Sequence, residues 1–189
     1  MKIVVIGGSG LIGRNVVRRL AAQGHDPVPA SPATGVDTIT GEGLSDVVVG
    51  ADAVVDVSNA PVWDDDAVMK FFTTSSRNLL AAERDAGVGH HIAVSIVGAD
   101  DVAATVAELA IGGPVGERVE LGGPEALGID AWARRLFGAT GDKRAVIADP
   151  HAEYYGTELN GGELTPGAGA RIGKVNFDTW FAANQQEAR

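Results

Sequence analysis

The chain has 189 residues, 45% hydrophobic and 21% charged, with a formal net charge of −10. That length buries one good core with a small appended lobe, and the acid excess argues against a nucleic-acid partner, whose phosphates most of the surface would repel. The absence of cysteine excludes disulfides and thiolate metal sites and fits a cytoplasmic protein. No apolar run is long enough to cross a bilayer, and a first strand starting at residue 2 leaves no signal peptide before it.

The opening stretch organises the rest. Ile3-Val4-Val5-Ile6 is too short for a helix and is rich in β-branched residues, as a buried parallel strand requires. Gly7, Gly10 and Gly13 follow at three-residue spacing, and a helical pattern carries Ile12, Val16, Val17, Leu20 and Ala21 on one face up to Gly24. Strand, glycine turn and helix together form the setting of a dinucleotide-binding fingerprint. Gly7 permits the sharp turn, Gly10 lets the backbone approach a pyrophosphate, and Gly13 lets the helix lie close on the strand. The free N–H groups and the positive dipole end of the helix would hold the phosphates. The candidate cradle therefore comprises Gly7, Gly8, Ser9, Gly10, Leu11, Ile12, Gly13 and Arg14. A flexible glycine linker is the alternative, but linkers neither follow a strand nor open an amphipathic helix.

The spacing Gly7-Gly8-x-Gly10-x-x-Gly13 resembles the variant typical of short-chain dehydrogenase/reductase proteins. The later segment AAERDAGVGHHIAVSIVG resembles the NmrA-like branch of that superfamily. The resemblance implies a Rossmann-like, doubly wound parallel sheet of about five strands with a small C-terminal α+β lobe. It also implies an NAD(P)-dependent oxidoreductase acting on a small organic molecule.

A second strand is placed over residues 27–30 because a βαβ unit needs a parallel partner, although Pro27 and Pro29 disfavour it. Its tip reads Ala30-Ser31-Pro32, without the acid that would bind a ribose 2′-hydroxyl. A 2′-phosphate would meet no repulsion beside Ser31 and could pair with Arg14, which favours NADP over the alternative, NAD. A solvated helix charge accounts for Arg14 equally well. Alternation over Val36–Thr40 predicts a short third strand, and Leu44–Val49 a short helix. Residues 53–57 read as a fourth strand ending in Ser58-Asn59-Ala60-Pro61. By the resemblance Ser58, Asn59 and Ala60 border the cofactor, and a plain polar turn is the alternative.

Asp64-Asp65-Asp66 open a long helix that Gly87 ends. Their place at the positive end of the helix dipole explains them better than a metal site, and no metal is expected. Residues 90–98 read as a fifth strand. The resemblance puts the superfamily's active-site serine at Ser95 and leaves His90 and His91 far from it, as structural or solvated groups. Active relatives follow this strand with a Tyr-x-x-x-Lys helix, in which the tyrosine exchanges the proton. Here the two tyrosines are Tyr154 and Tyr155, and Glu158 and Leu159 stand where the lysine would be. Tyr154, Tyr155, His151 and Asp100 are candidate substitutes, with no spacing to favour one. The chain passes directly to residues 99–111, which resemble a later helix of the family, as though the intervening helix, a sixth strand and much of the substrate lobe were missing. The fifth strand would then be an open sheet edge suited to pairing with a second copy.

Further on, residues 118–121 and 145–148 read as strands. Ile129, Trp132, Ala133, Leu136 and Phe137 mark a helix, and residues 176–183 a last one, with irregular structure from Asp149 between them. The organisation expected is a dinucleotide-binding core over 1–98 and a remnant lobe over 99–189, packed as one compact domain.

Overall fold

The computed structural model describes residues 1–61, 64–94, 99–151, 153–154, 157–158, 161–162 and 164–187. The chain divides into two compact units, Met1–Glu117 and Arg118–Arg189.

The first unit is an α/β sandwich. Strands β1 (Lys2–Ile6), β2 (Asp26–Ala30), β3 (Ala53–Asp56) and β4 (His91–Ala93) form a parallel sheet in the order β2-β1-β3-β4. Helices α1 (Leu11–Ala22) and α4 (Ala99–Ile111) lie on one face, and α2 (Leu44–Val48) and α3 (Asp65–Ala86) cover the other. Alternation explains both layers. Val4, Ile6 and Val54 point into the α2–α3 layer with Leu44, Val48 and Leu79. Ile3, Val5 and Val55, of opposite parity, are fully buried on the other face, as are Val16 and Leu20 of α1 and Ala103 and Ala110 of α4. The helix over 99–111, expected in the C-terminal lobe, thus belongs to the first unit.

β2 forms despite its prolines because it is an edge strand. Asp26 N–H and Ala30 C=O bond toward β1, so the alternate positions, Pro27 and Pro29, turn their missing donors outward. Helix α3 starts where Asp64 Oδ1 accepts the Ala67 N–H at 2.9 Å, and it ends at Gly87 with φ 75°.

The sheet has four strands rather than about five, because residues 36–40 make a turn. Asp37 Oδ1 accepts the N–H groups of Ile39 and Thr40 at 2.7 and 3.2 Å, and Asn78 of α3 donates to the Thr38 and Ile39 carbonyls. The groups a ladder would use are therefore already satisfied.

In the second unit, β5 (Leu121–Gly122) pairs in parallel with β8 (Arg171–Ile172), and β6 (Glu153–Tyr154) in antiparallel with β7 (Thr157–Glu158). Helices α5 (Ile129–Thr140) and α6 (Phe177–Glu187) complete it. The strand expected over 118–121 is displaced to Leu121–Gly122. The one expected over 145–148 does not form: Ile147 is 87% exposed and the Val146 carbonyl accepts from Arg134.

Candidate functional site

The glycine bend sits where three strand ends meet. Gly7 has φ 76°, a conformation that favours glycine, and its N–H bonds to the Ala30 carbonyl at the tip of β2. A Cβ on Gly7 would stand 3.0 Å from the backbone of Val57 and Ser58, just beyond β3. One on Gly8 would meet Pro29 Cα at 2.8 Å, and one on Gly13 the Gly7 carbonyl at 2.1 Å. The chain thus passes between β2 and β3 and rests the first turn of α1 on the bend. A Cβ on Gly10 would meet only the Gly7 carbonyl, at 3.2 Å.

The donors matter most. Gly10 N–H returns to Gly7 C=O and Arg14 N–H to Gly10 C=O, both at 2.9 Å. Among the described residues the N–H groups of Ser9, Leu11, Ile12 and Gly13 have no acceptor. No carboxylate stands in the first turn of α1, and no side chain caps it. Four unpaired donors at the positive end of a helix are the arrangement an anion cradle requires.

Around the cradle, Ser31 and Ser58 each hold a buried hydroxyl without a hydrogen-bond partner. At Ser31 the N–H and C=O are occupied by Thr34 Oγ1 at 2.9 Å each, which leaves Oγ over. Asn59 is exposed, and its Oδ1 accepts from Ala60 N–H. Arg14 and Leu11 are exposed beside the bend, and the Arg14 guanidinium bonds to no described residue. The orphaned hydroxyls and free amides fit a polyhydroxylated, phosphate-bearing ligand.

Ser95 and Tyr155 lie outside the described residues. His151 pairs with Glu158 at 2.7 Å in the second unit, where Tyr154 also lies. Among the described residues no cluster of three or more His, Asp or Glu side chains is placed to hold a metal, and no helix is long and apolar enough to cross a membrane.

Two features escaped the sequence reading. Asp56 Oδ1 accepts the Ser58 N–H at 2.9 Å and so shapes the 58–60 turn; the pattern Asp-x-Ser at a strand end was the available signal. His91 is bonded through Nδ1 to the buried Glu83 at 2.8 Å, a pairing across α3 and β4 that nothing in the sequence marks.

No family model matches the chain. Ycf39, a photosystem II assembly factor of Synechocystis sp., is 28% identical over 111 residues, covering 51% of this chain and 34% of Ycf39. A Bacillus cereus UDP-N-acetylglucosamine 4-epimerase structure is 23% identical with TM-score 0.43, over 50% of this chain and 35% of the epimerase. An Agrobacterium tumefaciens short-chain dehydrogenase/reductase superfamily protein with bound NAD is 28% identical with TM-score 0.41, over 50% and 32%. The chain resembles each of them over about half of its own length. It spans about a third of the length of each of these relatives.

Proposed function

We propose that the first unit is a dinucleotide-binding module of short-chain dehydrogenase/reductase type, of the NmrA-like branch, that prefers NADP(H) to NAD(H). One observation carries this reading: four backbone N–H groups without acceptors face the glycine bend, flanked by the tips of β2 and β3. The cradle amides would bind the pyrophosphate. Ser31 and Arg14 would receive the adenosine ribose and its 2′-phosphate, and Ser58, Asn59 and Ala60 would line the inner side. When bound, the cofactor would supply hydride to, or take it from, an organic substrate. Ser95 would orient the substrate's carbonyl oxygen. A serine does not donate a proton at neutral pH, and the chain has no Tyr-x-x-x-Lys. That absence favours a second reading, a non-catalytic NAD(P)(H)-binding redox sensor or regulatory protein. A third reading is a trimmed domain without activity of its own. The proposed setting is the cytoplasm, with self-association through the open edge of β4.

Titration with NADPH and NADH, followed by fluorescence, tests the cofactor reading, with tighter binding of NADPH expected. If Arg14→Ala leaves the NADPH/NADH affinity ratio unchanged, the 2′-phosphate assignment is wrong. A turnover assay with quinones and aldehydes separates the classes. Turnover abolished by Ser95→Ala supports the enzyme, binding without turnover the sensor, and no binding the trimmed domain. A clean monomer in sedimentation at high concentration contradicts the self-association.

A further inference from the structure

Three ionisable side chains share one face of the sheet under α3. The parallel register sets Val54 beside His91 and Asp56 beside Ala93. Val54 points into the α2–α3 layer, so Asp56 and His91 point there too. His91 Nδ1 meets Glu83 Oε1 of α3 at 2.8 Å. The Glu83 side chain is 4% exposed and that of His91 26%. The carboxylate has thus been taken out of water, and His91 supplies its hydrogen bond. Asp56 lies on the same face farther along β3, and its Oδ1 holds the Ser58 N–H. The backbone of that turn lies against Gly7, at the floor of the candidate cradle. The imidazole that bonds Glu83 therefore shares a sheet face with Asp56, whose carboxylate shapes the 58–60 turn.

We propose that His91 is a proton-operated positioning residue for the dinucleotide site. Protonated, it pairs with Glu83 and its charge offsets that of Asp56 on the same face beneath α3. Neutral, it leaves two carboxylates on one face without a counter-charge, loosens β4 and the 58–60 turn, and weakens dinucleotide binding. This inference rests on the nucleotide-binding reading above.

The groups near His91 are Glu83 from α3, Asp56 from β3 and His90, the residue just before β4. The Glu83 hydrogen bond, opposed by burial and aided by the charges of Glu83 and Asp56, holds His91 above the ordinary imidazole value of 6.5. A histidine raised in this way contributes fully below that ordinary value, and its contribution is lost as pH rises through the raised one. His90 is lowered, by burial first and His91 second. Its contribution is present above the ordinary value and is lost as pH falls below it. The two effects occupy different pH windows; His91→Gln removes the His91 part of His90's lowering, so parent and variant are compared above the ordinary imidazole value, where His90 stays neutral in both.

The experiment follows the His91 ring by NMR and NADPH affinity by titration, from about pH 6 to about pH 9. It compares the parent with His91→Gln and Glu83→Gln. In the parent, affinity falls by about five-fold or more through the His91 transition. In His91→Gln that transition is gone, and in Glu83→Gln both the ring titration and the affinity midpoint move to lower pH. Parallel pH profiles for the parent and His91→Gln overturn the proposal, as does a ring titrating at or below the ordinary value. Amide hydrogen exchange of β4 and residues 57–60 in the same samples separates the two layers of the argument. If NADPH binds at no pH, the nucleotide-binding reading fails. The coupling still stands if these amides exchange faster above the His91 transition in the parent alone, and it falls if they do not.

Discussion

The first unit contains every buried hydrophobic side chain found among the described residues, from Ile3 to Ala110, and the second unit, Arg118–Arg189, contains none. In their place the second unit has a cationic hub. Arg135 lies 5.6 Å from the ring centre of Trp132 and 5.2 Å from that of Phe177, and it bonds to Glu125 at 2.9 Å and Asp178 at 2.7 Å. Phe181 stacks on Phe177 at 5.5 Å. The two designs draw on different physics. Apolar burial contributes about 25 cal/mol per Å² with little demand on geometry, whereas half-exposed ion pairs contribute little and are screened by salt. A nucleotide site needs amides held in fixed positions, and among the described residues the buried apolar core that can hold them lies in the first unit.

That contrast can be broken at several points. Leu79, fully buried between α3 and the sheet, should have the largest effect: Leu79→Ala costs about 3 kcal/mol, read from the urea midpoint of the first unit. Next comes Gly13→Ala, whose new Cβ would stand 2.1 Å from the Gly7 carbonyl. Helix propensity alone would reward the change by about 1 kcal/mol, but the clash reverses the sign to a loss of about 2 kcal/mol. An unchanged or raised Tm would contradict the close packing of bend and helix.

Smaller effects belong to the second unit. Arg135→Met should lower the denaturant midpoint of that unit alone, leaving amide protection in β1 and β3 as it was. The difference should shrink in high salt, since both carboxylate partners lie near water. Loss of protection across the first unit as well would show that the two units are not energetically separate. The least effect is expected at Arg84, whose pair with Asp85 at 3.0 Å is largely exposed. Arg84→Ala should change stability by less than about 0.5 kcal/mol.

The same contrast explains what the sequence made legible. Strand β1, the glycine spacing and the apolar faces of α1, α3 and α4 are written in local periodicity, because a buried layer demands an unbroken apolar repeat. The edge strand β2 was legible only through the need for a parallel partner, since its prolines are tolerated for a tertiary reason. Residues 36–40 looked like a strand because β-branched residues alternate there. The local Asp37 turn decides otherwise, and the Asn78 clamp that fixes it comes from a helix about forty residues away. In the second unit, two-residue strands and an arginine hub leave no periodic signal, so β6, β7 and β8 have no mark in the sequence, while the apolar residues of 145–148 imitate a strand. Within the site, the cradle was written in the glycines, but the Glu83–His91 contact joins two elements whose meeting depends on the folded layer.

The central claim is that the free amides at the start of α1 bind the paired phosphates of a dinucleotide. Its most direct test is an NMR titration of the ¹⁵N-labelled protein with NADPH. Saturable shifts of the Ser9, Leu11, Ile12 and Gly13 amides, with the 58–60 turn following, are the predicted result. Absence of binding, or shifts confined to residues 118–189, would contradict it.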